Sequence, residues 1–380
     1  MQMAQKHAAL VIGVCSHGLS VIRALHAQGV TVFAVEKSTD IPGVKTNTIA
    51  RLFKVNAFSA EELLLSLPEI RKSLSEWEDI VLFATNDNHV KFICDYYLQL
   101  APYFKVSWAS QREAVQQLID KRNLEQFSKA VGLNYPKSAI LTDQTKQNGA
   151  LNNFRYPVIL KPAKPLSSFK TQIANSPSAI SYLIEKFAAD LPFVAQEYIA
   201  GNDKALYFCA LVVRDGEIIQ SMVGQKISSY PPARGQTTIA QTVENKEVEM
   251  LTARFFSQFK LSGPVSLEMK KAPDNTYWVI EPTVGRTDFW SELCIAAGFN
   301  QPYQEYLIAL GQSLSPPQPL HAVVWFDCER APLNYLKSCW SQKKLKPNSK
   351  ALAFTYFSIK DIKPFIFACI AITKRVLFKR

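Results

Sequence analysis

Apolar residues fall in short blocks whose spacing switches between the strand and helix periods. Residues 8–14 are almost wholly apolar, 18–28 carry apolar positions at helical spacing, and 31–35 are apolar again, which predicts a βαβ opening. Residues 61–74 and 89–100 read as helices, and 80–84 and 105–108 as strands. Asp120 reads as the N-cap of a helix that closes near Gly132, with Pro136 beyond it. Strands follow over 158–161, 193–198, 205–214 and 217–224, the last two joined by Asp215-Gly216 as a tight hairpin. An amphipathic helix over 244–259 precedes a second hairpin, in which 265–271 alternates, 276–280 is rich in β-formers, and Pro273-Asp274-Asn275 supplies the turn. Breaks fall near residue 112 and at Pro316-Pro317. The pattern is α/β throughout.

Composition narrows the classes. With 380 residues, 48% of them hydrophobic, the chain can bury two or three cores. Seven cysteines are scattered without a CxxC pair, which predicts reduced thiols in a cytoplasmic protein and neither a disulfide framework nor a zinc site. No apolar run approaches the roughly 20 residues that span a bilayer. The net charge of +11 is concentrated: residues 337–380 hold eleven Lys/Arg against Asp361 alone, leaving the rest of the chain at +1. The charge therefore belongs to the C-terminal segment, and no nucleic-acid partner is expected.

Several positions then look chemical. A four-residue turn in the second hairpin would set Glu268 directly opposite Glu281, where like charges about 4.5–5.5 Å apart at Cβ destabilise the pairing. Lys161 ends an otherwise apolar strand, and no acid lies within ten residues of it, so it needs an anionic partner from elsewhere. Asp120-Lys121 opens a helix, and Gln196-Glu197-Tyr198-Ile199 leads through Gly201 to Asp203.

This order resembles the ATP-grasp superfamily of carboxylate–amine ligases over roughly residues 8–311. The resemblance implies a Rossmann-like domain (1–112), a central subdomain (113–195), a nucleotide-clasping subdomain of antiparallel sheet and helices (196–315), and a basic C-terminal extension (316–380). It further implies that Lys121 and Lys161 contact ATP phosphates, that Gln196 to Ile199 form the adenine hinge, and that Asp203 accepts from the ribose. Lys226 would reach the γ-phosphate, and the loop 163–171, with Lys164 or Lys170, would cover the triphosphate. Arg286 would hold a substrate carboxylate or the transferring phosphate. Glu268 and Glu281 would hold Mg²⁺, or Mn²⁺ in its place, with Thr283 standing where the family usually carries Asn. A carboxylate would attack MgATP to give an acyl phosphate and ADP, and an amine or similar nucleophile would then displace phosphate. The substrates would be a small-molecule carboxylate and an amine. Asp87 and the loop 40–47 would help to shape the acceptor site.

Two other classes remain. Gly13 to Gly18 spaces like a dinucleotide fingerprint followed by Glu36, although Cys15 fills its middle glycine position; the other reading of these residues is a tight strand-to-helix turn. An NAD(P)-binding oxidoreductase would show tight NADH binding without ATP binding. A non-catalytic nucleotide-binding relative is the other alternative, and Thr283 is the feature that keeps it open. His17 and His89 read as turn or surface residues, and Arg234 as loop decoration. At the C-terminus, eight apolar residues (365–372) precede a basic run, which suits either a helix docked on the protein's own core or an interfacial helix in peripheral contact with a membrane.

Overall fold

The structure is a computed structural model; it describes residues 6–142, 151, 153–163, 168–169, 171–232, 235–328, 330 and 351–377. Lys164, Lys170 and Arg234 lie outside the described residues.

The first layer is a parallel sheet ordered β3-β2-β1-β4, from β1 (His7–Ile12), β2 (Thr31–Glu36), β3 (Arg51–Lys54) and β4 (Asp79–Phe83). Side chains alternate between two cores, as the strand period requires. Ala8, Leu10 and Ile12 pack toward α2 (Ala60–Lys72) and α3 (Asp87–Leu100), while Ala9 and Val11 pack toward α1 (Ser16–His26). Coverage on both faces explains why these strands read as continuous apolar runs. The strand expected over 105–108 is reduced to one bridge, Val81 to Lys105, because the chain turns at once: the Ala109 amide bonds the Val106 carbonyl.

The helix expected from Asp120 to near Gly132 is α5 (Leu124–Ala130), which starts four residues later, and an unforeseen helix, α4 (Arg112–Ile119), ends just before Asp120. Asp120 ends α4, and the residue before α5 is Asn123, so Asp120 is not the N-cap. Its carboxylate accepts from the Arg122 amide at 3.0 Å and its guanidinium Nε at 2.9 Å. Lys121 therefore sits in the joint between helices.

The central layer is antiparallel and ordered β5-β8-β6-β7, from β5 (Ser138–Leu141), β6 (Val158–Pro162), β7 (Gln172–Ala174) and β8 (Phe193–Glu197), with α6 (Pro177–Lys186) against it. The third layer is a seven-stranded sheet ordered β13-β12-β9-β10-β11-β14-β15. Its strands are β9 (Leu206–Arg214), β10 (Glu217–Tyr230), β11 (Gln236–Thr242), β12 (Gly263–Lys271), β13 (Tyr277–Val284), β14 (Val323–Phe326) and β15 (Ala351–Phe354). α7 (Lys246–Phe256) covers one face, and α8 (Ser291–Ala296) and α9 (Gln301–Ala309) the other. The β9–β10 hairpin turns at Asp215 (φ 53°) and Gly216 (φ 88°), the backbone a two-residue hairpin demands. β10 runs past its expected end at 224. The Phe208 ring crosses under Gly224, where a Cβ would lie 2.2 Å from it, so the glycine is a close-packing position and not a strand stop.

Residues beyond 316 are not a simple extension. β14 pairs with β11 and β15 with β14, so both complete the third sheet. A final helix, α10 (Lys363–Leu377), docks on the first layer, where Phe365 and Ala368 meet Leu19.

Candidate active site

The hairpin of β12 and β13 brings the two acids together by a route the residue count did not foresee. Its turn holds five residues, since Lys271 pairs with Tyr277. A bulge at Ile280 then restores the register, and Glu268 faces Glu281. Asp274 fixes the turn by accepting from the Thr276 amide at 3.0 Å, and Asn275 adopts φ 69°. With a period of two, Ser266, Glu268 and Lys270 share one face of β12, opposite Thr283 and Glu281 on β13.

Lys121 Nζ lies 3.1 Å from Glu281 Oε1. Glu281 raises the Lys121 pKa more than anything else, and Asp87 and Glu268 add to it. The opposed acids are thus partly balanced by a lysine delivered from the α4–α5 joint. Lys161, on β6, donates to Gln196 Oε1 at 3.0 Å, and Gln196 Nε2 donates to Ser138 Oγ at 3.2 Å. Burial pushes the Lys161 ammonium down to about 8, and Lys121 lowers it further, against the pull of Glu281 and Glu268. The hairpin acids act on Lys161 only at a distance, and its hydrogen bond goes to the neutral Gln196 amide.

Thr283 is buried, and its hydroxyl donates to Asp288 Oδ2 at 2.9 Å. Burial raises the Asp288 pKa, against the attraction of Arg286. Arg286 leaves the end of β13 and grips Asp87, at the start of α3, through Nε at 2.8 Å and Nη2 at 2.7 Å. Asp87, Lys121 and Glu281 line one small cleft. His17 ties the same joint, with Nε2 2.7 Å from Thr287 Oγ1 and Nδ1 3.1 Å from the Thr85 carbonyl. Burial and Arg286 hold His17 down at about 3, and burial holds His89 down at about 4, so both are neutral structural groups and neither is a surface residue.

At the other end, β8 runs into the segment expected as the hinge. The Glu197 amide bonds Lys137 O at 3.0 Å, the Glu197 carboxylate accepts from the Arg155 amide at 3.0 Å, and the Tyr198 amide bonds Pro157 O at 3.2 Å. Ile199 follows, half-buried. Asp203 accepts from the Ser229 amide at 3.0 Å and its hydroxyl at 2.8 Å, and pairs with Lys226 at 3.3 Å. Lys226 also donates to Gly235 O at 3.2 Å. Lys226 and Asp203 are therefore paired with each other. Lys270 lies over the Tyr198 ring, 4.5 Å from its centroid, and burial, aided by Lys226, lowers its pKa to about 8. Sequence reasoning missed Lys270 and Asp288. Lys270 was legible as the same-face neighbour of Glu268.

Among the described residues, no three His, Cys, Asp or Glu side chains gather as a metal cluster. Two opposed carboxylates are nevertheless the donor set Mg²⁺ takes when substrate phosphates and water supply the remaining oxygens. The fingerprint-like turn is otherwise employed. A Cβ on Gly18 would lie 2.1 Å from Gly13 O, and Glu36 accepts from the Val14 and Lys37 amides at 2.7 and 2.8 Å.

These three layers form the ATP-grasp fold that solved structures share. Solved structures agree across the whole chain. N5-carboxyaminoimidazole ribonucleotide synthetase in its ADP complex superposes with a TM-score of 0.68 at 12% identity, covering 100% of both chains. The biotin carboxylase domain of the Hydrogenobacter thermophilus 2-oxoglutarate carboxylase, solved with MgADP, ADP and bicarbonate, gives 0.66 at 15% identity over 84% of this chain and 74% of that one. The L-amino acid ligase of Bacillus licheniformis gives 0.64 at 15% identity over 85% and 80%. No protein-family model matches the chain, and no curated protein matches it in sequence.

Proposed function

We propose that the chain is an ATP-dependent, ADP-forming ligase that joins a small-molecule carboxylate to an amine or similar nucleophile. The observation that carries this reading is the register that sets Glu268 opposite Glu281, with Lys121 on Glu281. Glu268 and Glu281 would hold Mg²⁺ or Mn²⁺, which supplies charge neutralisation at the ATP phosphates. The neighbours solved with ADP, MgADP and bicarbonate, and the amino acid ligase, are consistent with that chemistry.

Lys121 and Lys161 bind and orient the triphosphate. Gln196 to Ile199 carry the base, with the Gln196 side chain holding Lys161 in place. Asp203 accepts from the ribose, and Lys226, paired with Asp203 at 3.3 Å in this structure, would leave it to reach the γ-phosphate. Arg286, fixed by Asp87, presents its guanidinium from the joint between the first and third layers, where an acceptor carboxylate or the transferring phosphate would lie. A carboxylate oxygen attacks the γ-phosphorus as the bond to the β-phosphate oxygen breaks and ADP leaves. The amine then attacks the acyl carbon, loses a proton, and releases inorganic phosphate. Such chemistry is positioning and charge stabilisation, so no side-chain nucleophile is required.

The test is ADP release from the purified protein with MgATP against pooled carboxylates and amines. Release that requires one acid and one amine, with one phosphate per ADP, is expected. ATP binding without acid-dependent release would make the chain a non-catalytic nucleotide binder. Tight NADH binding without ATP binding would overturn the reading altogether.

A further inference from the structure

Among the described residues, fourteen large hydrophobic side chains are exposed, and seven of them lie between Leu352 and Ile370. Half of them therefore fall within one segment of the chain. Within it α10 is amphipathic in an unusual sense. Phe365 and Ala368 face inward onto Leu19 and Tyr356. Ile362, Ile366 and Ile370 recur every four residues along the outer face, 37%, 48% and 45% exposed, with Phe367 beside them and Ile359 ahead of the helix at 86%. Lys360, Lys363 and Lys374 are exposed around this stripe.

The helix is held firmly in that attitude. Asp361, just before it, is buried and accepts from Arg23 Nε at 2.9 Å, from the Asn47 amide at 3.1 Å and from the Thr46 hydroxyl. Lys45 lies over the Phe367 ring at 4.9 Å. A latch of charge and hydrogen bonds on one side thus presents an apolar stripe on the other.

We propose that this outer face of α10 seats on an anionic lipid surface, with the helix lying in the plane of the interface. Its 15 residues make a rod of about 22 Å, too short for a hydrocarbon core of about 30 Å. No helix among the described residues is long and apolar enough to cross a membrane. The partner is chosen by charge. Lys360, Lys363 and Lys374 border the stripe and Asp361 is buried against Arg23, so two copies brought together by this face would repel, whereas acidic headgroups complement both the apolar stripe and its basic flanks. Docking on the protein and contact with a membrane are then not alternatives, since opposite faces of one helix serve them.

Vesicle flotation of the full chain tests this, using phosphatidylcholine alone and phosphatidylcholine mixed with phosphatidylserine. Binding to the mixed vesicles should exceed binding to the neutral ones, and should fall about tenfold on raising salt from low to high. Ile366→Asp/Ile370→Asp should abolish it while leaving the melting temperature and ATP binding unchanged, because both side chains already face solvent. Lys363→Gln/Lys374→Gln keeps the apolar face and should reduce the preference for anionic vesicles severalfold, which serves as the check if the aspartate variant fails to fold. Failure of the wild-type chain to float at low salt overturns the proposal, and so does equal binding to both vesicle types. A dimer in sedimentation that Ile366→Asp/Ile370→Asp dissolves, without lipid binding, would assign the face to a second copy instead.

Discussion

Around Tyr198, Asp203 takes the Ser229 amide and hydroxyl and the Lys226 ammonium, while Lys270 rests on an aromatic ring. At the β12–β13 end, two glutamates oppose each other across one strand pair, and Lys121 reaches Glu281 from a helix joint. Both ends contain acids and lysines, but they are balanced differently. In the first, the acid is paired with donors from the protein itself before any nucleotide binds. The second keeps an opposed like-charge pair that a bound metal cation would relieve, so the metal-dependent part of the proposed site lies there. The contrast predicts that substitutions at the two ends will register in different measurements.

The largest effect belongs to Glu281→Gln. Turnover with MgATP should fall at least about a hundredfold, and most of the MgATP-induced rise in melting temperature should vanish. Stability without ligand should move by less than about 1 kcal/mol, because relief of the repulsion with Glu268 offsets loss of the Lys121 contact. At the other end Lys226→Met should behave in reverse. Leaving Asp203 without its ammonium should lower stability by about 2 kcal/mol, below the usual figure for a fully buried pair because Ser229 retains its bonds. The Mg²⁺ concentration for half-maximal turnover should stay unchanged. A Lys226→Met protein that is fully stable but has lost its Mg²⁺ response would erase the distinction between the ends.

How much of this was legible in the residues follows the same division. Patterning disclosed the βαβ opening, the β6 and β8 strands and both hairpins, because local period and turn chemistry specify them. The opposition of Glu268 and Glu281 was reachable, yet by two compensating errors: the turn is one residue longer than a four-residue count, and the Ile280 bulge absorbs the difference. Bulges arise from packing and leave no plain mark in sequence. The Asp120 cap was misread because a carboxylate beside Arg122 has a nearer donor than a helix amide. Lys226, the Asp87–Arg286 clamp and the His17 tie join residues 23 to 270 positions apart, and such pairings are set by the tertiary fold. The closing strands β14 and β15 are four residues each, too short for periodicity to separate from loop.

Titration sharpens the comparison next. Lys161 and Lys270 both carry pKa values lowered from 10.5 to about 8. In the unliganded protein, unfolded lysines bind more protons than folded ones between about 8 and 10.5, so stability should rise with pH across that window. Affinity for ATP should move oppositely, because the phosphates require the protonated amines. From pH 7 to pH 9 it should weaken about tenfold for each lysine that contacts nucleotide. Calorimetry across this range checks the sign, and Lys161→Met should remove the Lys161 share. If Lys270→Met removes an equal share, Lys270 also contacts nucleotide; if it removes none, Lys270 belongs with the structural charges of its end.

The smallest expected effect concerns Thr283, which stands beside the acids while its hydroxyl is engaged by Asp288 at 2.9 Å. A hydroxyl donating to a carboxylate still has lone pairs, but it is a weaker metal ligand than an amide oxygen. In Thr283→Asn the amide nitrogen can donate to Asp288 while its oxygen turns toward Glu281. The position is 8% exposed, so the larger side chain should destabilise the protein by about 1 kcal/mol. Against that, the half-saturating Mg²⁺ concentration should fall about threefold, the gain of one modest oxygen ligand. Titration of turnover with Mg²⁺ at saturating ATP measures it. An unchanged midpoint in a folded variant would mean that the side chain at 283 supports Asp288 and Arg286 and never meets the metal, leaving the two glutamates as the protein's whole contribution at that end.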